Sequence, residues 1–246
     1  MTHPPLTALA PVLATGRFDW YLTRSSGAVA LLLLSVAVAL GVADVQRWAS
    51  PRWPRFVVDR LHRNASLLAL AFLALHVLTS VLDSFAPISL TAAFVPFVSP
   101  YRPFWLGLGA VALDLLLAVI LTSLLRRRIS QRAWRATHWL VYACWPIALL
   151  HTLGTGSDVQ QGWLQALSGA CLVLVLAAVV LRTLPGWRAI PTRARALALG
   201  GATAFAAGLV LWLPSGPLGR EWARRSGTPA ALLGHSSERS RIVVSR

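Results

Sequence analysis

Residues 61–83, LHRNASLLALAFLALHVLTSVLD, decide how this chain folds. The run is almost wholly apolar over the length of a bilayer crossing, yet it carries His62 and His76 and ends in Asp83. Fourteen residues of α-helix advance about 1400°, about 40° short of whole turns, and rise about 21 Å. Both imidazoles therefore leave such a helix on nearly the same side, one near each margin of a hydrocarbon layer about 30 Å thick. An unpaired buried polar group costs on the order of several kcal/mol. Each ring needs a polar partner or a metal.

The rest of the chain has the same character. Its 246 residues are 56% hydrophobic and 13% charged, with a mean hydropathy of +0.63, which is membrane composition. Apolar runs predict six spans near residues 27–43, 64–82, 104–125, 136–153, 162–181 and 196–213. The expected fold is an all-α polytopic membrane bundle. Residues 1–26 form an N-terminal segment, 27–182 the main transmembrane domain, 183–213 an additional transmembrane helix and 214–246 a basic C-terminal tail. The first 26 residues lack a basic start followed directly by a short apolar core, so no cleaved signal peptide is expected.

All 23 basic residues are arginine and the formal net charge is +15. The arginines sit at span ends, where they orient helices and meet lipid headgroups. No soluble basic face exists to bind nucleic acid. The connections 43–64, 125–136 and 181–196 hold 5, 5 and 4 arginines. The alternate side has 2 before the first span, 1 at Arg102 and none in 153–162. The positive-inside rule places the three basic connections in the cytoplasm. Six further arginines in the tail run against this count, because six spans put the tail outside. Cys144 and Cys171 lie inside apolar spans without metal-ligand spacing and read as small buried hydrophobes.

Partners for His62 and His76 stand in the fourth span, WRATHWLVYACWPIALLHTLGTGSD, which carries His138 and His151. Spans two and four run in the same direction. His62 and His138 therefore share the cytoplasmic margin, and His76 and His151 the outer one. Two neutral imidazoles at one depth across a gap are what axial ligation of a haem iron requires. Bis-histidine haem is favoured over structural histidines and over zinc or copper, since tetrahedral zinc needs its ligands gathered and the two pairs are about 20 Å apart. Thirteen residues of ideal helix leave His138 and His151 about 140° apart, so the fourth span cannot be an ideal helix. Pro146 lies between them and predicts a kink or rewinding there.

The 14-then-13 histidine spacing on two spans resembles the ferric reductase-like transmembrane domain shared by ferric reductases and NADPH oxidases. The resemblance covers about residues 24–182, and "YRPFWLGLGAVALDLLLAVILTSLLR" is similar to the bacterial branch in texture. It implies two stacked haems b, with His62 and His138 holding the inner one and His76 and His151 the outer one. It further implies an electron-relaying membrane oxidoreductase. No G-x-G-x-x-G follows residue 182, so a nicotinamide site is not expected here and flavin enters only through a partner. The haem subunit of the periplasmic methionine sulfoxide reductase system is a functional parallel. The implied partners are membrane lipid and either a quinol donor or a separate redox protein.

Haem propionates need cations at the membrane margins. Arg63 and Arg135 are candidates on the inner side and Arg102 on the outer, against the reading that all three anchor helices. Asp83 and Asp158 each follow a histidine by seven residues and mark span ends, or bind a cationic acceptor. Asp114 lies midway along the third span, where an acid is costly and usually faces the protein interior. Trp20, Trp53, Trp105, Trp134 and Trp163 lie at span ends as an aromatic belt does. Three functions remain open: a reductase passing electrons to an external acceptor such as ferric iron, an electron-transfer subunit serving a separate protein, and a haem-free transporter. The third is disfavoured because no span is interrupted in the paired way of many transporters.

Overall fold

Proline and serine at the ends of apolar runs set the helix boundaries. The computed structural model describes residues 6–45, 54–83, 86, 88–184 and 191–233. Trp53 and the tail arginines Arg239, Arg241 and Arg246 lie outside them. Among the described residues the elements are α1 (Leu6–Val45), α2 (Arg55–Leu82), α3 (Leu90–Phe94), α4 (Pro103–Leu124), α5 (Gln131–His138), α6 (Val141–Thr155), α7 (Gly162–Thr183), α8 (Thr192–Trp212) and α9 (Trp222–Arg225). Pro54 and Pro191 precede the first turns of α2 and α8, and Pro103 opens α4, where a missing N–H costs nothing. Ser89 and Ser130 cap α3 and α5 by accepting the amides of Ala92 and Ala133.

Among the described residues, five helices are long and apolar enough to cross a membrane: Phe18–Val45, Arg55–Leu82, Pro103–Leu124, Gly162–Thr183 and Thr192–Trp212. The chain is a multi-pass, all-α membrane protein. The expected fourth crossing, residues 136–153, is divided between α5 and α6. Its irregularity lies at Trp139 and Leu140, not at Pro146, which stays inside α6. There the amides of Leu140, Tyr142 and Ala143 bond carbonyls three residues back. Such bonds advance the chain about 120° per residue rather than 100°, which recovers part of the rotation an ideal helix would withhold from His138 and His151.

The first crossing is longer than residues 27–43. Arg24, Ser25 and Ser26 look like a polar border in the sequence, but they are inside α1. Ser25 and Ser26 donate to the carbonyls of Tyr21 and Leu22, and Arg24 pairs with Asp158. Their polarity is satisfied locally, so the helix runs on.

The core is formed where α1, α4, α6 and α7 meet. Leu31, Leu34 and Val38 pack with Ala112, Trp145, Leu149 and Val175. Trp145 donates its indole N–H to Ser35 at 2.8 Å, and Ser35 donates to the Leu31 carbonyl. Cys144 and Cys171 are buried and free, with the Cys144 thiol on the Ala112 carbonyl. Asp114 is exposed on α4, against the expectation of an inward acid. α2 packs along α1, and α8 borders α7.

The segment after α8 returns to the face that carries α3. The Arg102 amide donates to the Gly227 carbonyl and the Trp222 indole to the Gly154 carbonyl. The start of the C-terminal tail is therefore on the same side as the 83–102 connection, as an even number of crossings requires.

Candidate functional site

The four histidines meet in two pairs. His62 faces His138 with ring centroids 6.5 Å apart, and His76 faces His151 at 6.4 Å. The planes within each pair are turned by 73° and 74°. Two metal–nitrogen bonds of about 2 Å, plus roughly 1.1 Å from each ring nitrogen to its centroid, need about 6.2 Å. Each pair thus leaves room for one metal ion between its rings and no more. Along α2 the two sites are about 21 Å apart.

Three of the four rings are fixed in the same way. The His62 Nδ1–H donates to the Ala37 carbonyl at 2.9 Å, that of His76 to Thr23 at 2.8 Å and that of His151 to Trp105 at 2.9 Å. This choice of tautomer leaves Nε2 unprotonated, the nitrogen through which the ring could hold a metal. In each case a glycine follows the accepting residue by four, Gly41, Gly27 and Gly109 respectively. A Cβ at those glycines would lie 3.2, 2.9 and 2.5 Å from Cε1 of His62, His76 and His151. The bare turn lets the ring edge reach a carbonyl that helix packing would otherwise shield. Gly27 and Gly41 are 14 residues apart on α1, the same interval as His76 and His62 on the antiparallel α2. Sequence reading missed these seats, although that matched interval was there to be found.

His138 differs. Its ring stacks on Trp134, with centroids 5.0 Å apart and planes 21° apart, and the Arg126 guanidinium lies 4.4 Å over Trp134. Its Nδ1 is buried and has no hydrogen-bond partner among the described residues.

A cavity runs from the His76–His151 pair to the surface at the end that carries Asp83 and Asp158. Small and apolar side chains line its depth, among them Leu31, Leu34, Ala69, Leu73, Ala110 and Ala148. Its mouth holds Arg24, Ser80, Asp83, Tyr101 and Asp158. An apolar slot bounded by two neutral imidazoles, with polar groups at one rim, fits a haem with its propionates at the rim. Arg24, which sequence reading did not single out, lies over Trp20 and pairs with Asp158.

The structure distributes the other candidates unequally. Arg102 is buried, and its Nη1 donates to the carbonyls of Gly154 and Thr155 while its Nε donates to Thr228. It thus closes the C-terminal end of α6, one turn beyond His151. Arg63 and Arg135 are exposed at the His62–His138 end, where Arg135 lines a shallow groove with Arg132 and Trp139. Asp83 ends α2, and Asp158 lies in the turn after α6. Trp105, Trp212 and Trp222 form a three-ring cluster beside Gly154.

A family model described as ferric reductase like transmembrane component matches residues 26–149, half of the chain. No curated protein and no solved structure matches.

Proposed function

The chain belongs to the ferric reductase-like transmembrane component family, and from that premise we propose that it is a di-haem b cytochrome that moves electrons between the two faces of the cytoplasmic membrane. The observation that carries this reading is the pair of imidazole couples, each spaced for one iron at its own depth. When bound, a haem b in each couple supplies a one-electron redox centre.

The chain's own groups hold and tune those centres. His62 with His138 would ligate the inner iron, and His76 with His151 the outer one. Backbone carbonyls fix three of the rings and strengthen Nε2 as a donor. Leu31, Leu34 and Leu73 exclude water from the outer slot. Arg63 and Arg135 would be the inner cations for propionates and Arg24, at the cavity mouth, the outer one, whereas Arg102 is spent on the end of α6.

At the outer mouth Asp158 is engaged by Arg24. That pairing favours an electron-transfer subunit, which hands electrons to a docked redox protein, over a reductase that itself captures ferric iron with outer acids. Electrons would reach the inner face from a quinol or a separate flavoprotein.

The test is haem stoichiometry by pyridine haemochrome on purified protein. Two haems per chain are expected, with one lost in His76→Ala and in His151→Ala. A wild-type yield at or below one would sink the di-haem reading.

A further inference from the structure

Of the four ligating rings, one lacks the carbonyl that the others share. After Gly109, α4 contains no further glycine. Counting the histidine interval of 13 residues along α4 from Trp105 and Gly109 reaches Ala118 and Thr122. The Thr122 hydroxyl donates to the Ala118 carbonyl itself. At the register of a fourth seat, the helix thus carries the Thr122 side chain in place of a bare turn. His138 stands on the stacked column of Trp134 and Arg126 instead, with its Nδ1 unpaired among the described residues.

We propose that Trp134 is the positioning residue for His138, holding by stacking the ring that its three counterparts hold through a carbonyl, and that the inner haem is in consequence the more easily reduced of the two. The proposal rests on the di-haem reading above. A carbonyl that accepts Nδ1–H pushes electron density toward Nε2 and stabilises the ferric ion, lowering the reduction potential. Stacking fixes ring orientation but accepts no proton from Nδ1. The inner iron therefore has one strengthened imidazole, His62, where the outer iron has two. The Arg126 charge beside this column acts in the same direction, since a nearby cation favours the reduced form.

The experiment is a dithionite potentiometric titration of purified, haem-loaded protein, with low-spin electron paramagnetic resonance spectra of the ferric state. Wild type should titrate as two components, and His76→Ala, which keeps the inner haem, should retain the higher one. Trp134→Leu should shift the midpoint and the low-spin signal of that component alone, or lose that haem alone, and Trp134→Phe should restore both. Arg126→Gln should lower the same midpoint while leaving the ring orientation signal in place. Retention of the lower component in His76→Ala would overturn the proposal, as would a Trp134→Leu spectrum and midpoint identical to wild type. If Trp134→Leu loses all haem, the Trp134→Phe and His76→Ala titrations decide the matter. A wild-type yield of one haem would instead overturn the di-haem reading.

Discussion

Replacing Gly109 by alanine places a methyl carbon 2.5 Å from Cε1 and 2.6 Å from Nδ1 of His151, where ordinary contact begins near 3.4 Å. The ring must retreat by roughly 0.9 Å to relieve that contact. The Nδ1–H bond to the Trp105 carbonyl, 2.9 Å in the native arrangement, then opens beyond useful range. The lost bond is worth about 1 kcal/mol in its own right. The larger effect is on the metal, because loss of such a supporting bond typically costs about 10–100-fold in affinity. Helix propensity acts the other way, since alanine favours a helix over glycine by about 1 kcal/mol. A fall in outer haem content would thus occur in a protein whose helix is intrinsically firmer. The same substitution at the other seats gives a graded series. Gly27→Ala leaves 2.9 Å to His76, and Gly41→Ala leaves 3.2 Å to His62, which a few tenths of an ångström relieve. The assay is haem per chain by pyridine haemochrome, with low-spin signals assigning the haem lost. Gly109→Ala should lose most of the outer haem, Gly27→Ala part of it, and Gly41→Ala should stay close to wild type. Equal retention in all three, or a loss greatest in Gly41→Ala, would refute the seat argument.

Other perturbations probe other parts of the reading. Ser157→Cys should be labelled by an impermeant thiol reagent in intact cells and Arg127→Cys should not, with the buried Cys144 and Cys171 silent in both; the opposite pattern would exchange inner and outer throughout. Changing Arg126, Arg127 and Arg128 together to Gln should slow haem reduction by a soluble donor and flatten its dependence on salt, provided the donor is an acidic protein attracted to this loop. A rate indifferent to both would point to a lipid-soluble donor. Asp114→Leu should raise the membrane-inserted yield, since an acid near mid-span costs about 2.5–3.5 kcal/mol on insertion, and should leave haem content unchanged. A loss of haem there would show that the exposed carboxylate serves the site.

The histidine pairing was legible because helical rotation and bilayer depth constrain it twice over. His62 and His76 share one side of one helix, and the parallel direction of the fourth span sets which histidine meets which at each depth. The start of α1 was not legible, because hydropathy reads Arg24, Ser25 and Ser26 as polar, whereas back-bonding to carbonyls and the Asp158 partner hide that polarity. The rewinding before α6 was anticipated but placed at Pro146. A proline advertises a missing donor, while a short run of tighter hydrogen bonds at Trp139 and Leu140 has no residue-type signature. The glycine seats escaped for a related reason. A single helical glycine signals little, and its meaning emerges only when a neighbouring helix brings a ring against it. Arg102 looked like a marginal cation free for a propionate. Its side chain instead reaches the end of α6, because residues 227 and 228 return beside it.

That return has a consequence in time. The carbonyl of Gly154 accepts Trp222, and Arg102 is held between Gly154, Thr155 and Thr228. These bracing residues are made about 70 residues after His151. A chain synthesised from its N-terminus can bring His62 and His138 together while α7 and α8 are still to come. It can bring His76 and His151 together too, but the end of α6 stays unfastened until α8 has crossed and the chain has doubled back. On the di-haem reading, cofactor capture would then be ordered, with the inner site competent first and the outer site locked last. Chains halted before residue 222 would be half-loaded intermediates.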